Sequence, residues 1–244
     1  RAADFLLAEL RREDGRLLAR YREGEALYPA YAADYAYLIW GLIELYQAGF
    51  NPLYLKAALE LNADLVKYFW DQEEGGFFFY GEDAEQLLAR PKEAYDGALP
   101  ADNSAATLNL LRLARITGNV ELENRAVECL HCFGSQINAT PRAYAFFLVA
   151  ALYYSNPGRE IVLSGDIDSA DSQAMFQEIN KLFLPDTVLV FKQTDNEEIT
   201  DLVPFADSMD MINGQTAAYL CSNFTCQQPT TSPEQLVNYL VDKV

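Results

Sequence analysis

The sequence predicts a mainly α fold, a partial α/α-hairpin toroid of the six-hairpin kind, followed by a small α/β tail with a parallel βαβ unit. Three observations predict it. Apolar residues recur at helical spacing up to about residue 155, a helix-turn-helix unit repeats along the chain, and β-branched runs take over after Pro157-Gly158. The expected division is an α/α-hairpin barrel fragment over residues 1–157 and an α/β subdomain over 158–244, packed on it.

A leading helix is expected over residues 1–12, and Asp14-Gly15 turns the chain into Leu17-Leu18. From Tyr31 to Gln47, Tyr35, Leu38, Ile39, Leu42, Ile43, Leu45 and Tyr46 lie three and four apart, which marks an amphipathic helix. Gly49 is expected to stop it. Asn51-Pro52 opens the next, with proline in the first turn, and that helix runs to about Trp70. Gly75-Gly76 before Phe77-Phe78-Phe79-Tyr80 reads as a turn into a short aromatic strand. Residues 81–100 form an excursion. A third helix spans Asp102 to Thr117, a fourth follows Gly118-Asn119 to about Gln136, and Thr140-Pro141 opens a fifth that ends near Ser155.

A shift of 68 residues lays Ala33-Asp34 on Ala101-Asp102, Leu42 and Leu45 on Leu110 and Leu113, and Asn51 on Asn119. The repeated unit is an α-hairpin. One hairpin cannot bury both its apolar stripes, but stacked hairpins can, and a closed ring of them takes about six. The helices opening at Asp34, Asp102 and Pro141 suit an inner ring. Those from Pro52 and Val120, richer in charge, suit an outer one. Most of the remaining hairpins are expected upstream, the chain opening on Arg-Ala-Ala-Asp rather than methionine; the alternative is an inner ring that stands open. In the tail, Ile161–Leu163 and Thr187–Phe191 read as strands around a helix from Ser169 to Leu182, Thr216–Cys221 as a third strand, and Pro233–Val241 as a last helix.

Composition narrows the function. With 36 acidic and 18 basic residues the formal charge is −18, a field that repels phosphate backbones and argues against nucleic acid. No apolar run reaches the roughly 20 residues that cross a bilayer, so no membrane partner is expected, and a cytoplasmic protein is. Cys129 and Cys132 flank His131 one helical turn apart, but no second pair completes a tetrahedral zinc site. They read as buried thiols, and neither metal nor cofactor is expected. Phosphate-binding glycine loops, nucleophile elbows and twin-histidine metal motifs are missing from the sequence.

Where inner helices start together, their free N–H groups and partial positive charge face one opening. Asp34 and Tyr35 sit at one start, Asp102, Asn103 and Ser104 at the second after Tyr95, Asp96 and Gly97, and Arg142 and Tyr144 at the third. Carboxylates, amides and aromatic faces on one rim suit hydroxyl-rich ligands. Asp34, Asp96 and Asp102 are the candidate catalytic carboxylates, able to act in pairs on a glycosidic bond. Tyr35, Tyr95, Asn103, Ser104, Arg142 and Phe77 are the candidate saccharide-binding residues. Asp34 and Asp102 also suit helix N-capping, and the Phe77 run also suits a core.

Several runs resemble the YyaL family of thioredoxin-domain-containing proteins, which has a spermatogenesis-associated member in animals. They are Ala33-Asp34-Tyr35-Ala36, Trp70-Asp71 before Gly75-Gly76-Phe77-Phe78, and Lys92 to Pro100 through Tyr95-Asp96-Gly97. Asn103-Ser104-Ala105-Ala106 and Ala218-Tyr219-Leu220-Cys221 with Cys226 and Pro229 complete the likeness. The resemblance implies an upstream thioredoxin-like domain as partner. It also implies a barrel similar to six-hairpin glycosidases and N-acylglucosamine 2-epimerases, and a recurrent Cys221/Cys226 pair able to form a disulfide or act as a redox pair with the upstream domain, with a structural role at the end of a strand as the alternative. Two departures stand out. Pro100-Ala101-Asp102-Asn103-Ser104 replaces the family's Pro-Ser-Gly-Asn-Ser, and the epimerases' acid-base histidines have only His131 to match them. The expected function is saccharide isomerisation or hydrolysis by rim carboxylates. The alternative is a non-catalytic module that serves the upstream redox domain.

Overall fold

The computed structural model describes residues 1–85, 88–194, 198–222 and 225–241. The protein is mainly α with an α/β carboxy-terminal part, and it divides into two compact units. One comprises residues 1–114 and 119–153, the other residues 115–118 and 154–244.

In the first unit, α1 (Ala2–Glu9) leads into a two-stranded ribbon, β1 (Leu18–Arg22) and β2 (Glu25–Pro29), paired antiparallel. The loop is Glu23-Gly24, both at positive φ (54° and 85°), a geometry that follows the twist of paired strands. α2 (Ala32–Gly49) and α3 (Pro52–Phe69) form an antiparallel hairpin. Its core is Tyr35, Ile39, Leu42, Ile43 and Tyr46 against Leu55, Ala58, Leu61, Leu65 and Phe69. Gly49, expected to end α2, is its last helical residue. Phe50 takes the left-handed conformation (φ 53°) and its N–H closes on Tyr46 O. Asn51 Oδ1 accepts Leu53 N–H at 3.0 Å, and Pro52 lacks an N–H that would in any case be orphaned. Arg16 is buried among these elements. It bonds Asp83 at 2.8 Å, Tyr35 Oη at 3.1 Å and Ala30 O at 3.2 Å.

The aromatic run does not form the expected strand. Only an isolated bridge joins Trp70 and Phe77. The backbone there is claimed by other groups: Phe77 N–H by Asn103 Oδ1, Phe78 N–H by Phe69 O and Phe79 N–H by Pro91 O. Gly75 and Gly76 precede it at φ 75° and 78°. A Cβ on Gly76 would stand 3.1 Å from the Phe133 ring, so conformation and space both require glycine.

α4 (Asp102–Thr117) is buried on every side over its first turns, from Asp102 through Leu111. That is the signature of an interior helix. Asn109 Nδ2 donates to Ala36 O of α2 at 2.7 Å. Asn103, wholly buried, is the knot. Its amide donates to Phe77 O at 2.9 Å and Glu93 O at 2.8 Å while its oxygen takes Phe77 N–H at 2.7 Å. α5 (Val120–Ala139) begins at an Asn119 cap. A 3-10 turn at Pro141–Ala143 precedes α6 (Ala145–Ser155), so the fifth helix starts later than Pro141 suggests. Phe133 of α5 packs on Phe147 of α6, centroids 5.4 Å apart.

In the second unit, β3 (Arg159–Gly165), α7 (Ala170–Ile179) and β4 (Thr187–Gln193) form the expected parallel βαβ unit. After α8 (Glu198–Leu202), β5 (Ala217–Ser222) pairs antiparallel with β3, and the short β6 (Thr225–Cys226) with β5. The sheet order is β4-β3-β5-β6, and α9 (Pro233–Val241) packs beside α7. Gly165 lets β3 end against Thr216, whose Oγ1 would lie 2.4 Å from an added Cβ. Among the described residues no helix is long and apolar enough to cross a membrane.

Replacing Asn103 by alanine frees three backbone groups at once, the buried N–H and C=O of Phe77 and the partly buried C=O of Glu93. The expected loss is about 2–4 kcal/mol, read as a lowered urea midpoint at unchanged m-value.

Candidate functional site

In the first unit the leading ends of α2, α4 and α6 meet, held by two residues. Tyr37, one turn into α2, donates its hydroxyl to Pro100 O just before α4. Asp96 does the rest. Its Oδ1 accepts Ala101 N–H at 2.8 Å, and its Oδ2 accepts Phe146 and Phe147 N–H at 2.8 and 3.0 Å, in the first turn of α6. These are N–H groups that a helix start leaves without an intrahelical partner. The Asp96 N–H in turn bonds Ala143 O at 2.8 Å.

Asp102 stands at the first position of α4, only 4% exposed. Its Oδ1 accepts from Asn103 N at 2.6 Å and Asn103 Nδ2 at 3.0 Å. Among the described residues its Oδ2 has no hydrogen-bond partner. Burial pushes its carboxyl up to about 7, and the Glu93 charge adds to the rise while the Asn103 bonds oppose it. The Tyr37 phenol is raised too, first by burial and then by the Asp102 and Asp96 charges, so the three share one electrostatic neighbourhood. Beside them Trp40 and Phe146 lie with centroids 4.9 Å apart. Trp40 Nε1 donates to Glu44 Oε1 at 3.0 Å, and Arg112 pairs with the same carboxylate. The result is a half-buried aromatic pair on α2 and α6, the two helices whose starts gather with that of α4.

Asp96, Asp102, Asn103 and Ser104 are brought together here, with Asn103 and Ser104 behind the acid. Both are wholly buried, and they donate to Glu93 O (2.8 Å) and Ala94 O (3.5 Å). Asp34 is turned to another use. Its Oδ2 accepts Tyr31 N–H at 2.8 Å, closing the start of α2, and burial raises its carboxyl. It lines a mainly apolar groove of about 620 Å³ with Leu6, Leu10, Leu38 and Leu45, which Tyr37 also borders. Tyr35 and Phe77, expected to face a ligand, are wholly buried. The Tyr35 hydroxyl takes Leu17 N–H at 2.9 Å and meets Arg16, and the Phe77 ring packs edge-on against Trp70. Tyr95 is exposed, as is Arg142 on the 3-10 turn.

Tyr37, Trp40, Glu44, Arg112 and Phe146 were not singled out from the sequence. The readable signal is the spacing Asp34, Tyr37, Trp40-Gly41, Glu44, a polar and aromatic stripe at helical period opposite the core stripe of α2. The thiols sit apart from the rim on α5: Cys129 is buried, its thiol pushed up to about 12 by burial, and Cys132 is half-buried. His131 is exposed on the same helix. No group of three or more His, Cys, Asp or Glu among the described residues is placed to hold a metal ion. In the second unit Cys221 and Cys226 are joined by a disulfide.

The chain is similar to spermatogenesis-associated protein 20 of Homo sapiens, 32% identical over 205 residues, which is 83% of this chain and 26% of that protein. The same-named protein of Rattus norvegicus is 30% identical over 205 residues, again 83% of this chain and 26% of that one. An uncharacterized protein of Caenorhabditis elegans is 30% identical over 207 residues, 85% of this chain and 28% of its own. The chain spans about a quarter of the length of these relatives. No protein-family model matches it.

Because Asp102 holds its proton up to about pH 7 when folded, against an ordinary value of 3.8, its protonation favours the folded state. That contribution is complete below about pH 4 and is lost as the pH rises through about 7. Asp102→Asn keeps the neutral shape and the acceptor for Asn103. Relative to the parent it is expected to gain on the order of 2–4 kcal/mol at pH 8 and nothing at pH 4, measured as urea midpoints across that range.

Proposed function

We propose that the first unit binds a saccharide where the starts of α2, α4 and α6 gather, and that Asp102 exchanges the proton when the sugar is isomerised or hydrolysed. The observation that carries this reading is Asp102 itself. It is a buried carboxyl with one unpartnered oxygen and a proton affinity near neutrality, conditions under which a carboxyl both gives and takes a proton. Trp40 and Phe146 offer the flat apolar surface that a sugar ring stacks on, and Glu44 with Arg112 supplies acceptor and donor for hydroxyls.

Asp96 has a positioning role on this reading, since both its oxygens are taken by backbone N–H groups. The same saturation, with the capping use of Asp34, favours a second reading in which the rim binds without turning over. There the unit serves as a recognition module for a thioredoxin-like domain upstream, the partner that the family resemblance implies.

The test is a thermal-shift screen of the full-length protein with glucose, mannose, N-acetylglucosamine and cellobiose. At least one sugar near saturation is expected to raise Tm by about 2 °C or more, and Trp40→Ala is expected to remove that shift. With the sugar that binds, Asp102→Asn is expected to keep the shift and abolish turnover followed by proton NMR of the anomeric signals. Turnover surviving in that variant would remove Asp102 as the group that exchanges the proton, and a sugar bound with no turnover in the parent would leave only the binding reading. A protein that melts cooperatively and shifts with none of these sugars would remove the saccharide reading and favour the recognition module.

A further inference from the structure

We propose that Cys221–Cys226 is a thiol–disulfide exchange site, opened in the folded protein by a protein dithiol that attacks Sγ of Cys226. The two cysteines face each other across β5 and β6 and are bonded. They differ in access. Cys221 is 1% exposed, whereas Cys226 lies exposed on the last strand of the sheet. Exchange requires a thiolate to approach a disulfide sulfur, so access selects the sulfur attacked.

Space for the approach is present. Both cysteines line an open, mainly apolar cavity of about 700 Å³, with Pro157, Leu220, Leu240 and Arg159 in its wall. A reductase that delivers a dithiol presents it on an apolar surface, and this cavity suits one of its side chains. β6, at the end of the sheet, leaves a strand edge that an extended segment of the partner can pair with. Elsewhere in the unit the place for such chemistry is filled differently. Thioredoxin-type dithiol enzymes carry a Cys-x-x-Cys pair at the start of the helix in a βαβ unit. At the start of α7 this chain has Ser169 and Ser172, their hydroxyls 3.1 Å apart. The pairing of Glu160 with Cys221 and of Ser164 with Ala217 puts the disulfide at the opposite end of β3 from those serines. Among the described residues of this unit the exchangeable sulfur therefore lies at β5–β6 and not at the start of α7.

The step balances. The partner thiolate bonds to Sγ of Cys226, the Cys221–Cys226 bond breaks, and Cys221 leaves as a thiolate that takes up a proton. The partner's second thiol, deprotonated, then attacks its own sulfur in the mixed disulfide. Cys226 is released and protonated, and the partner leaves as a disulfide. Two electrons pass to this chain. The segment after Cys226 keeps its anchors when the bond opens. Gln227 N–H bonds Leu220 O at 2.9 Å, and Ala218 and Thr230 exchange two backbone bonds of 2.8 and 3.0 Å. The fold is expected to survive reduction, as exchange in the native state requires.

The trap is a thioredoxin-type reductase whose second active-site cysteine is changed to serine, mixed with the oxidised full-length protein in native buffer and mapped by mass spectrometry after alkylation. The expected product is a mixed disulfide on Cys226 with Cys221 alkylated, lost to background in Cys226→Ser, while far-UV circular dichroism stays unchanged. In parallel, dithiothreitol is expected to open the bond in native buffer within about a hundredfold of its rate in urea. The proposal is overturned by an adduct on Cys221, by opening slower than that limit, or by finding both cysteines already alkylatable in the oxidised protein.

Discussion

The first N–H groups of an α-helix have no partner within the helix, and in a packed interior water is not there to take them. Asp96 meets that need for α6 and ties down Ala101 just ahead of α4 with one carboxylate. Everything proposed for the rim depends on this. The two helices start side by side because one side chain accepts from both starts, and Tyr37 draws α2 to the same place through Pro100. The long connection between α3 and α4 is therefore a strap rather than a slack loop. It is fixed at Phe77 and Glu93 by Asn103 and at Asp71 by Lys92, whose Nζ lies 2.7 Å from that carboxylate.

Much of the architecture was legible because helical period and repeat make the same statement. Asn51 and Asn119, a repeat length apart, each cap the second helix of a hairpin, and the residues after them carry the apolar stripe. What escaped was decided by contacts rather than pattern. The Phe77–Tyr80 run has strand composition, yet its backbone bonds go to the Asn103 side chain, Phe69 and Pro91, so no ladder forms. The β1–β2 ribbon turns on Glu23-Gly24, which lacks the asparagine or aspartate that usually announces such a turn. At the site, Asp96 and Asp102 could be found from their positions before helix starts. Tyr35 and Tyr37 are two residues apart on a helix and point to different faces, and only packing shows that the face of Tyr35 is core.

Asp34 and Asp102 occupy equivalent places in the repeat, and their fates differ by where the helix begins. Asp34 sits in the first turn of α2, within reach of Tyr31 N–H, and its carboxylate closes that start. Asp102 is itself the first residue of α4, where one of its oxygens takes Asn103 N–H while Asp96 holds Ala101 just ahead of the helix. One oxygen is left buried and unmatched. A carboxylate in that setting costs stability once it is ionised, and an asparagine would keep the acceptor for Asn103 while removing the charge. Asp102 is thus a buried carboxyl at one of the three helix starts that Asp96 and Tyr37 draw together. For the proposed proton exchange, that spare oxygen distinguishes Asp102 from Asp96, whose two oxygens are both taken by backbone N–H groups.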